Sequence, residues 1–443
     1  MKRREFIKKA GLATAGAISV PFILPSGRLF AATGKQMAEH VVVVMFAGGV
    51  RQEESVLQRY LDGSQVGEPY PGNIMNNMLN GAPPTQKIVY GTGEGGINPI
   101  PQILNTTLQS QGTLFPEVRA ISYGHFGGLN SMVQGANVFT QGLKNRPVHP
   151  TIFEYLRRHG GYKATDTWFI GNGIGNSVPL LTYSVEEGYG SQYGANFFAP
   201  NITFGNSGQE FLGDAKIYHP ENELDPIYKM KVFLDNNFEN YANGLANIGN
   251  TDDEKQQIKE FMINMFEKTQ NGTIAHPPIH NNGDTSTIGY AAEVLSEFKP
   301  ACLFVNLNDV DVAHSDFTGY VSALHRADHA VGHLWNHIQS IPEMANNTTI
   351  ICTPECGRNS EPNAILDIND WRAYGHSDEN SLRVFSLMAG PDIPSNNIVG
   401  GVDNPVGLIS DTMLTVADIL GVKQDVYSAG YLAPLTSSLF DHL

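Results

Sequence analysis

The sequence predicts an α/β fold in which a mostly parallel sheet is covered by helices on both faces. Three observations support this prediction: short continuous apolar segments recur along the chain, amphipathic helical segments separate them, and loops rich in glycine and polar residues follow them. Buried parallel strands have this continuous apolar character, and regular alternation of strands with helices is typical of a sheet covered on both sides.

Six apolar segments are predicted to be strands of this sheet, and two stretches between them are predicted to be helices. In the first helix, Thr151 and Glu154 have the spacing of a capping box. In the second, apolar residues from Tyr320 to Ile338 recur on one helical face. The six predicted strands are 40–49, 118–123, 167–172, 301–307, 348–353 and 383–390.

The first 32 residues have the layout of an export signal. A basic head containing Arg3 and Arg4 precedes an apolar stretch, and small residues follow it. The letters RREFIK resemble a twin-arginine signal, which implies the twin-arginine translocation machinery as a partner and a periplasmic or extracellular location. The apolar stretch is shorter than the roughly 20 residues of a spanning helix. Retention as a membrane anchor is the alternative reading of this segment.

Composition excludes several classes of function. The formal net charge of −16 lacks the basic surplus that nucleic acid or anionic lipid requires. Three cysteines in 443 residues do not form a disulfide scaffold. We therefore expect one large α/β domain over residues 36–443, interrupted by an insertion or cap at about 180–290 that contains a polar helix at 252–272.

Residues able to bind a metal follow the ends of the predicted strands, where open α/β sheets bind ligands. Carboxylates combined with imidazoles suit a divalent ion, and zinc is the expected one. Cysteine thiolate is also a good zinc ligand. The candidates are Asp309, Asp311 and His314 after the fourth strand, Glu355 and Cys356 after the fifth, and His376 before the sixth.

The order of motifs resembles the alkaline phosphatase superfamily, which includes the sulfatases. The chain contains VVVVMFAGGVR, NSMVQGANVFTQG, NLNDVDVAHSDFTGYVSALHRAD, TPECG, YGHSDE and SDTMLTVADILGV in the order of the corresponding family motifs. This resemblance spans nearly the whole chain after the signal. It implies a three-layer α/β/α sandwich with an inserted cap, and hydrolysis of phosphate or sulfate esters at a two-metal site.

The resemblance also implies roles for individual residues. Asp311, His314 and His376 match the first metal position, although the spacing is one residue short and leaves Asp309 as a competitor. Ser131 precedes Thr140 by the offset of the family nucleophile from its threonine.

The second metal position departs from the family pattern. Ala47 or Gly48 stands where an aspartate is expected, and Glu355 and Cys356 replace an aspartate–histidine pair. We therefore expect an altered site, with a single ion as one form of it. Arg51 and Arg358 are candidates to supply positive charge to an anionic substrate in place of metal; ion pairing with abundant carboxylates is the equal alternative.

Several histidines lie outside these motifs. His125 follows a predicted strand and is a candidate to line the cleft. The evenly spaced histidines at positions 325, 329, 333 and 337 are interpreted as a polar helix face rather than a metal site.

Together these observations predict an exported, metal-dependent hydrolase of phosphate or sulfate esters that acts on an anionic small molecule or a glycan. The alternative is a catalytically inactive binding or scaffold protein that keeps the fold. A further reading, based on the composition of residues 180–290, is a protein whose insertion binds polysaccharide.

Overall fold

A computed structural model describes residues 35–60, 70–83, 100–138, 145–174, 177–199 and 248–443, together with two-residue strands at Phe22–Ile23 and Leu29–Phe30. Apart from those two strands, the predicted export signal lies outside the described residues. So does the part of the predicted insertion between 200 and 247. Among the described helices, none is both long enough and apolar enough to span a membrane.

Eight strands form one central sheet: β1 (His40–Phe46), β2 (Gly112–Arg119), β3 (Thr167–Ile170), β4 (Asn196–Phe198), β5 (Cys302–Leu307), β6 (Thr348–Pro354), β7 (Arg383–Ala389) and β8 (Asn397–Ile398). Their spatial order is β8-β2-β7-β6-β1-β5-β3-β4. Two further short strands, Arg59–Tyr60 and Tyr70–Pro71, pair with each other outside this sheet.

The sheet is mostly parallel, as predicted. Strand β7 alone runs antiparallel to both of its neighbours, β6 and β2, and every other adjacent pair is parallel. Strands β2, β6, β1 and β5 therefore point the same way, and their carboxyl ends lie at one edge of the sheet. The amino end of β7 lies at that same edge.

Helices cover both faces of the sheet, so the α/β/α sandwich is confirmed. The helices are α1 (Leu108–Gln111), α2 (His125–Gln134), α3 (Ile152–Arg158), α4 (Asp252–Asn271), α5 (Gly283–Phe298), α6 (Phe317–Ser340), α7 (Asp411–Ile419) and α8 (Lys423–Ala429). Alternate side chains of β1 enter different cores: Val42 and Val44 pack with α4, α5 and α6, whereas Val41 and Val43 pack with α2, α3 and α7.

Short 3-10 helices lie in the connections between these elements. One of them, Asp309–His314, joins β5 to α6 and carries candidate ligands. The others are Ala164–Asp166, Val178–Leu180, Ser191–Tyr193, Glu379–Leu382 and Leu439–His442.

The strand predicted at 118–123 is wrong in its position. The structure places β2 at Gly112–Arg119, and its register against β7 shifts between Val384 and Ser386, opposite Pro116. Proline removes a backbone donor and is tolerated in a sheet at such an irregularity. Pro116 interrupts the apolar pattern of this strand, and the predicted strand therefore begins several residues too late.

Two predicted helices have the expected starts. Helix α3 begins with the capping box formed by Thr151 and Glu154. Helix α4 covers Asp252–Asn271 within the predicted insertion, and it also begins with a capping box. Its buried residues Ile258, Phe261 and Met262 pack into the core beneath the sheet, so this described part of the insertion contributes to the main hydrophobic core.

Candidate metal centre

Four segments bring polar side chains to the carboxyl edge of the sheet. Helix α2 begins at His125, soon after β2 ends. Asp311 and His314 follow β5, Glu355 follows β6, and His376 precedes the antiparallel strand β7. The loops after parallel strands and the loop before an antiparallel strand meet at the same edge, which explains how distant parts of the chain converge here.

Four donor atoms form a compact group, which we call the donor cluster: Nε2 of His125, His314 and His376, and Oδ1 of Asp311. The Nε2 atom of His314 lies 3.1 Å from that of His376 and 3.5 Å from that of His125. Oδ1 of Asp311 lies 3.1 Å from Nε2 of His125 and 3.3 Å from Nε2 of His314.

Several separations in the donor cluster fit neighbouring ligands of one zinc ion. Zinc binds nitrogen and oxygen at about 2.0–2.2 Å, so tetrahedral ligand atoms lie about 3.3 Å apart. Four of the six separations run from 3.1 to 3.5 Å, and the three histidines each offer a nitrogen within 4.8 Å of the others. Three imidazoles with one carboxylate are also a donor set that zinc accepts.

The 3-10 helix Asp309–His314 explains why Asp311 and His314 lie together. With three residues per turn, side chains at i and i+3 eclipse each other and project from the same face. Asp309 does not share that face, and its Oδ2 accepts from the backbone N–H of Asp284 at 2.9 Å. The structure thus brings Asp311 to the donor cluster and directs the competitor, Asp309, to the start of α5.

His125 is held by residues that follow β6. Its Nδ1 lies 2.6 Å from Oε1 of Glu355 and 3.4 Å from Sγ of Cys356. All three residues are buried. Glu355 and Cys356 are therefore close to the donor cluster, but they contact the far side of the His125 ring.

Gly48 is, with Ala47, one of the two positions where the resemblance leads one to expect an aspartate. Its φ is +122°, and a Cβ atom at this position would lie 2.4 Å from the backbone nitrogen of Asp311. No side chain fits there. The backbone N–H of Gly48 instead donates to Oε1 of Glu355 at 2.6 Å.

Arg358 supports the donor cluster from behind. Its guanidinium is fully buried and donates to Oδ1 of Asp311 at 3.0 Å and to the carbonyl oxygen of Tyr374 at 3.1 Å. It also donates to the carbonyl oxygen of Gly48. No part of Arg358 reaches solvent, so its contacts are those of a support for Asp311, and a role towards a substrate stays a prediction.

The structure does not bring Arg51 to the donor cluster. Its guanidinium donates to both carboxylate oxygens of Glu54, at 2.9 and 2.5 Å, and stacks 3.9 Å above the ring of Tyr374. Arg51 and Glu54 are both buried. Arg51 therefore forms an ion pair, as one of its two interpretations predicts, and this pair lies in the interior and not at the surface.

Ser131 is also separate from the donor cluster. It lies in the middle of α2, and its hydroxyl donates to the carbonyl oxygen of Gly127 at 2.9 Å and accepts from the backbone N–H of Val138 at 3.0 Å. The side chain has no exposed surface. These contacts are those of a structural serine, so the nucleophile role of Ser131 gains no support from the structure.

Electrostatic interactions shift the pKa values within the donor cluster. Burial lowers the pKa of His125, but Cys356 and the hydrogen bonds to Asp311 and Glu355 outweigh it and raise the value to about 12. Burial raises the pKa of Asp311, but the hydrogen bond from His125 helps to hold it well below its ordinary range. Burial, followed by the charge of His125, lowers the pKa of His376 to about 3. His376 is therefore neutral near pH 7, with a nitrogen lone pair available for a ligand.

His125 has a larger part in the site than its place in the sequence predicts. The structure places it at the centre of the site, in contact with both Asp311 and Glu355. Its position between the end of a strand and the start of a helix predicted only that it lines the cleft. Its partners could not be identified, because they follow strands that are distant in sequence.

The evenly spaced histidines of α6 form backbone contacts and no metal cluster among the described residues. His325 contacts the backbone of Ile74 and Ile100, and His329 contacts that of Ile279 and Pro101. Both side chains are buried, and they hydrogen-bond α6 to neighbouring loops.

No family model and no curated protein matches the chain. It is similar in structure to the PsFucS1 sulfatase from Pseudoalteromonas sp., with 12% identity, a TM-score of 0.48, and coverage of 92% of this chain and 72% of that one. It is also similar to a protein in the alkaline phosphatase superfamily from Vibrio parahaemolyticus, with 14% identity, a TM-score of 0.37, and coverage of 95% and 76%.

A third similar structure is that of Ps i-CgsB in complex with k-i-k-neocarrahexaose. It shares 13% identity with a TM-score of 0.41, and the match covers 88% of this chain and 74% of that one. The first of these structures is a sulfatase, and the second is a member of the alkaline phosphatase superfamily. Similarity this remote says nothing about activity, so the chemistry of the site rests on its own residues.

Proposed function

We propose that the protein is a metal-dependent hydrolase of phosphate or sulfate esters that uses one divalent ion, zinc, bound by His125, His314, His376 and Asp311. The observation that carries this proposal is the spacing of the donor cluster, in which four of the six separations run from 3.1 to 3.5 Å. Neighbouring ligand atoms around one small cation have this spacing. The bound ion would supply Lewis-acid polarisation of an ester oxygen or of water.

The donor cluster is accessible on one side. The His314 side chain is 44% exposed and that of Asp311 is 33% exposed, whereas His125 is buried beneath them. A purely structural metal site is normally closed by protein on all sides. This exposure supports a site that a substrate can reach.

The first turn of α2 favours an anionic substrate. This ten-residue helix begins at His125, so the positive end of its dipole lies at the donor cluster. Unpaired N–H groups at a helix start bind phosphate and similar anions. In the described residues, this helix start and the cluster itself provide the positive potential, since Arg51 and Arg358 are committed to carboxylates.

The chain's own residues would orient the ligands and exclude competing contacts. Arg358 fixes the Asp311 carboxylate, and the carbonyl oxygen of His314 accepts from Nδ2 of Asn363 at 3.1 Å. His376 stays neutral near pH 7 because burial lowers its pKa. These contacts support an ion-binding geometry that is set before a ligand arrives.

Metal analysis joined to activity measurements tests this proposal. The purified protein should contain about one equivalent of zinc and hydrolyse aryl phosphates or aryl sulfates. Asp311→Ala and His376→Ala should each lose the ion and the activity. A wild-type protein that neither binds a divalent ion nor hydrolyses either ester would contradict the proposal.

One observation favours a second candidate, a metal-containing binding protein without catalysis. Four protein donors complete a tetrahedral coordination, and catalytic zinc usually keeps a position for water or substrate. A protein with one firmly held zinc and no turnover of any phosphate or sulfate ester would favour this candidate. Retention on glycan affinity gels would then test glycan as its ligand.

Export through the twin-arginine pathway belongs to the same proposal. The arginine pair at positions 3 and 4 and the apolar stretch after it support it. Fractionation of cells that express the full chain, compared with an Arg3→Lys, Arg4→Lys variant, tests it. Equal distribution of the two forms between compartments would exclude this route.

A further inference from the structure

Glu355 and Cys356 stand where the resemblance suggests ligands of a second ion, but their geometry is of a different kind. We propose that Glu355 is a positioning residue: its carboxylate holds Nδ1 of His125, so that Nε2 of the same ring is presented as the fourth ligand of a single ion. This inference rests on the proposed function, because it requires an ion at the donor cluster.

The distances around the His125 ring distinguish a hydrogen bond from shared coordination. Oε1 of Glu355 lies 2.6 Å from Nδ1, which is a charge-assisted hydrogen-bond distance. Two ligands of one zinc ion would be about 3.3 Å apart. On the other side of the ring, Nε2 lies 3.1 and 3.5 Å from its neighbours Asp311 and His314. The two nitrogens therefore face different kinds of partner.

Cys356 does not change this assignment. Its Sγ lies 3.4 Å from Nδ1 of His125 and 3.7 Å from Oε1 of Glu355, separations that alone would suit a soft ion. The short Glu355–His125 contact leaves no room for that ion between the two residues. The thiol thus packs beside the hydrogen bond as a buried neighbour.

Gly48 shows why the carboxylate comes from Glu355. A Cβ atom at position 48 would meet the backbone of Asp311, so an aspartate cannot stand at that position in this chain. The N–H of Gly48 donates to the same Oε1 that receives His125, and both contacts measure 2.6 Å. The carboxylate from β6 fills the space beside the glycine and is fixed there by a backbone donor.

The backbone around this pair is tightly packed. A Cβ atom at Gly128, in the first turn of α2, would lie 2.4 Å from the carbonyl oxygen of Glu355. Helix α2 therefore touches the end of β6 directly. This contact fixes the backbone of His125 relative to that of Glu355. The orientation of the His125 ring is then set by its hydrogen bond to the Glu355 carboxylate.

The other oxygen of Glu355 defines the strongest competing reading. Oε2 is buried and has no hydrogen-bond partner among the described residues, so it is the atom that a second ion would use. A positioning carboxylate needs only an acceptor oxygen at Oε1, which glutamine retains. A metal-ligating carboxylate needs its negative charge, which glutamine loses.

The experiment measures zinc stoichiometry by mass spectrometry and zinc affinity by chelator competition in the full chain. We expect one equivalent in the wild type. Glu355→Ala should weaken zinc about 10- to 100-fold, as is usual when the hydrogen-bond partner of a ligating histidine is removed. Glu355→Gln should keep one equivalent and lose less affinity than Glu355→Ala. Glu293→Ala is the matched control, because Glu293 is another buried glutamate that accepts from a backbone N–H and a cationic side chain.

Several outcomes would overturn the inference. Two equivalents in the wild type, with one lost in Glu355→Gln, would make Glu355 a ligand. The absorption spectrum of cobalt-substituted protein tests Cys356. A thiolate charge-transfer band that disappears in Cys356→Ser would show that Cys356 is a ligand. One equivalent with unchanged affinity in Glu355→Ala would overturn this inference alone, whereas a wild type that binds no ion would overturn the proposed function as well. If Glu355→Ala fails to fold, the zinc stoichiometry of the wild type and the zinc stoichiometry and affinity of Glu355→Gln still decide the test.

Discussion

At the scale of single residues, Arg51 illustrates how burial decides between a catalytic and a structural role. Its side chain is 5% exposed, that of Glu54 is fully buried, and the two are joined by a bidentate ion pair. A charge held in this way has little freedom to follow a substrate, and removing one partner leaves the other buried without compensation.

We therefore expect Arg51→Ala to destabilise the fold by about 3–5 kcal/mol, because Glu54 would lose its partner. Urea denaturation would measure this change. The double variant Arg51→Met, Glu54→Met should recover most of the stability, since it removes both charges. Unchanged stability in Arg51→Ala, together with a large loss of kcat/KM, would restore the catalytic interpretation.

Ser131 gives a second prediction at this scale. Ser131→Ala should leave ester hydrolysis within about twofold of the wild type and reduce the free energy of unfolding by about 1 kcal/mol, since a buried hydroxyl loses two hydrogen bonds. Parallel kinetic and denaturation measurements would check it. A fall of a thousandfold in kcat in a stable variant would instead identify Ser131 as the nucleophile.

The sequence could predict which residue types meet at the site, but not every partner. Asp311, His314 and His376 are brought together as expected. The choice between Asp309 and Asp311 required the 3-10 helix, because only its three-residue turn shows which carboxylate shares a face with His314. The contact between His125 and Glu355 joins residues 230 positions apart, and one sequence has no local pattern that reports such a contact.

At the scale of elements, helix α6 connects two neighbouring loops to the core through neutral histidines. Nδ1 of His325 contacts the carbonyl oxygen of Ile74 at 2.7 Å, and its Nε2 accepts from the N–H of Ile100 at 3.0 Å. This arrangement needs one protonated and one bare ring nitrogen. Burial accordingly lowers the pKa of His325 from 6.5 to about 4.

We expect the contribution of His325 to stability to depend on pH. Its pKa is lower in the folded state, so the unfolded chain binds the proton first, and the contribution present above about pH 6.5 is lost as the pH falls towards 4. His325→Gln should cost on the order of 2 kcal/mol at pH 7 and clearly less at pH 5.

Comparing each variant with the wild type at the same pH is essential for this measurement. Asp328, on the same helix, has a pKa raised by burial to about 7, and its effect on stability runs in the opposite direction over this range. His329 and Arg326 also lie close to His325 and lower its pKa by their charge. A difference between His325→Gln and the wild type that is equal at pH 7 and pH 5 would contradict the prediction.

Helix α2 offers a steric prediction at the same scale. Gly128→Ala should cost about 1–3 kcal/mol through overpacking, because its Cβ atom would meet the carbonyl oxygen of Glu355. It should also weaken zinc binding, since the shift moves His125. Gly401→Ala is the control, as a Cβ atom there meets nothing within 4 Å. Equal thermal stability and zinc affinity in the two variants would argue against this packing.

Local patterns predicted elements well where they were uninterrupted. Helix α4 has the predicted start and an end within one residue of that expected, because a capping box and a glycine mark its two ends. Strand β2 was misplaced because Pro116 interrupts its pattern. The antiparallel direction of β7 could not be predicted, since strand direction depends on long-range pairing with β6 and β2.

At the scale of the whole molecule, the proposed ion links segments from three parts of the chain. Binding to the folded state alone stabilises a protein by an amount that grows with ligand concentration, about 2.7 kcal/mol when free zinc is 100 times Kd. The donor cluster joins α2, the connection after β5 and the loop before β7, so the unfolded chain cannot reproduce it.

We expect chelation to lower the Tm of the wild type and added zinc to restore it. His376→Ala should show a lower Tm that responds to neither treatment. Differential scanning calorimetry with and without chelator would measure both. A wild-type Tm that is insensitive to chelator and zinc would count against the ion and against its role in the fold.

The reversed direction of β7 has a consequence for how such a site can change. The connection from β6 to β7 leaves the sheet and returns to it at the same edge, so it carries Glu355, Cys356 and Arg358 near its beginning and His376 near its end. A single excursion of the backbone thus supplies much of the chemistry. Rewriting that one stretch could exchange one set of reactive groups for another while the strands beneath keep their pairing.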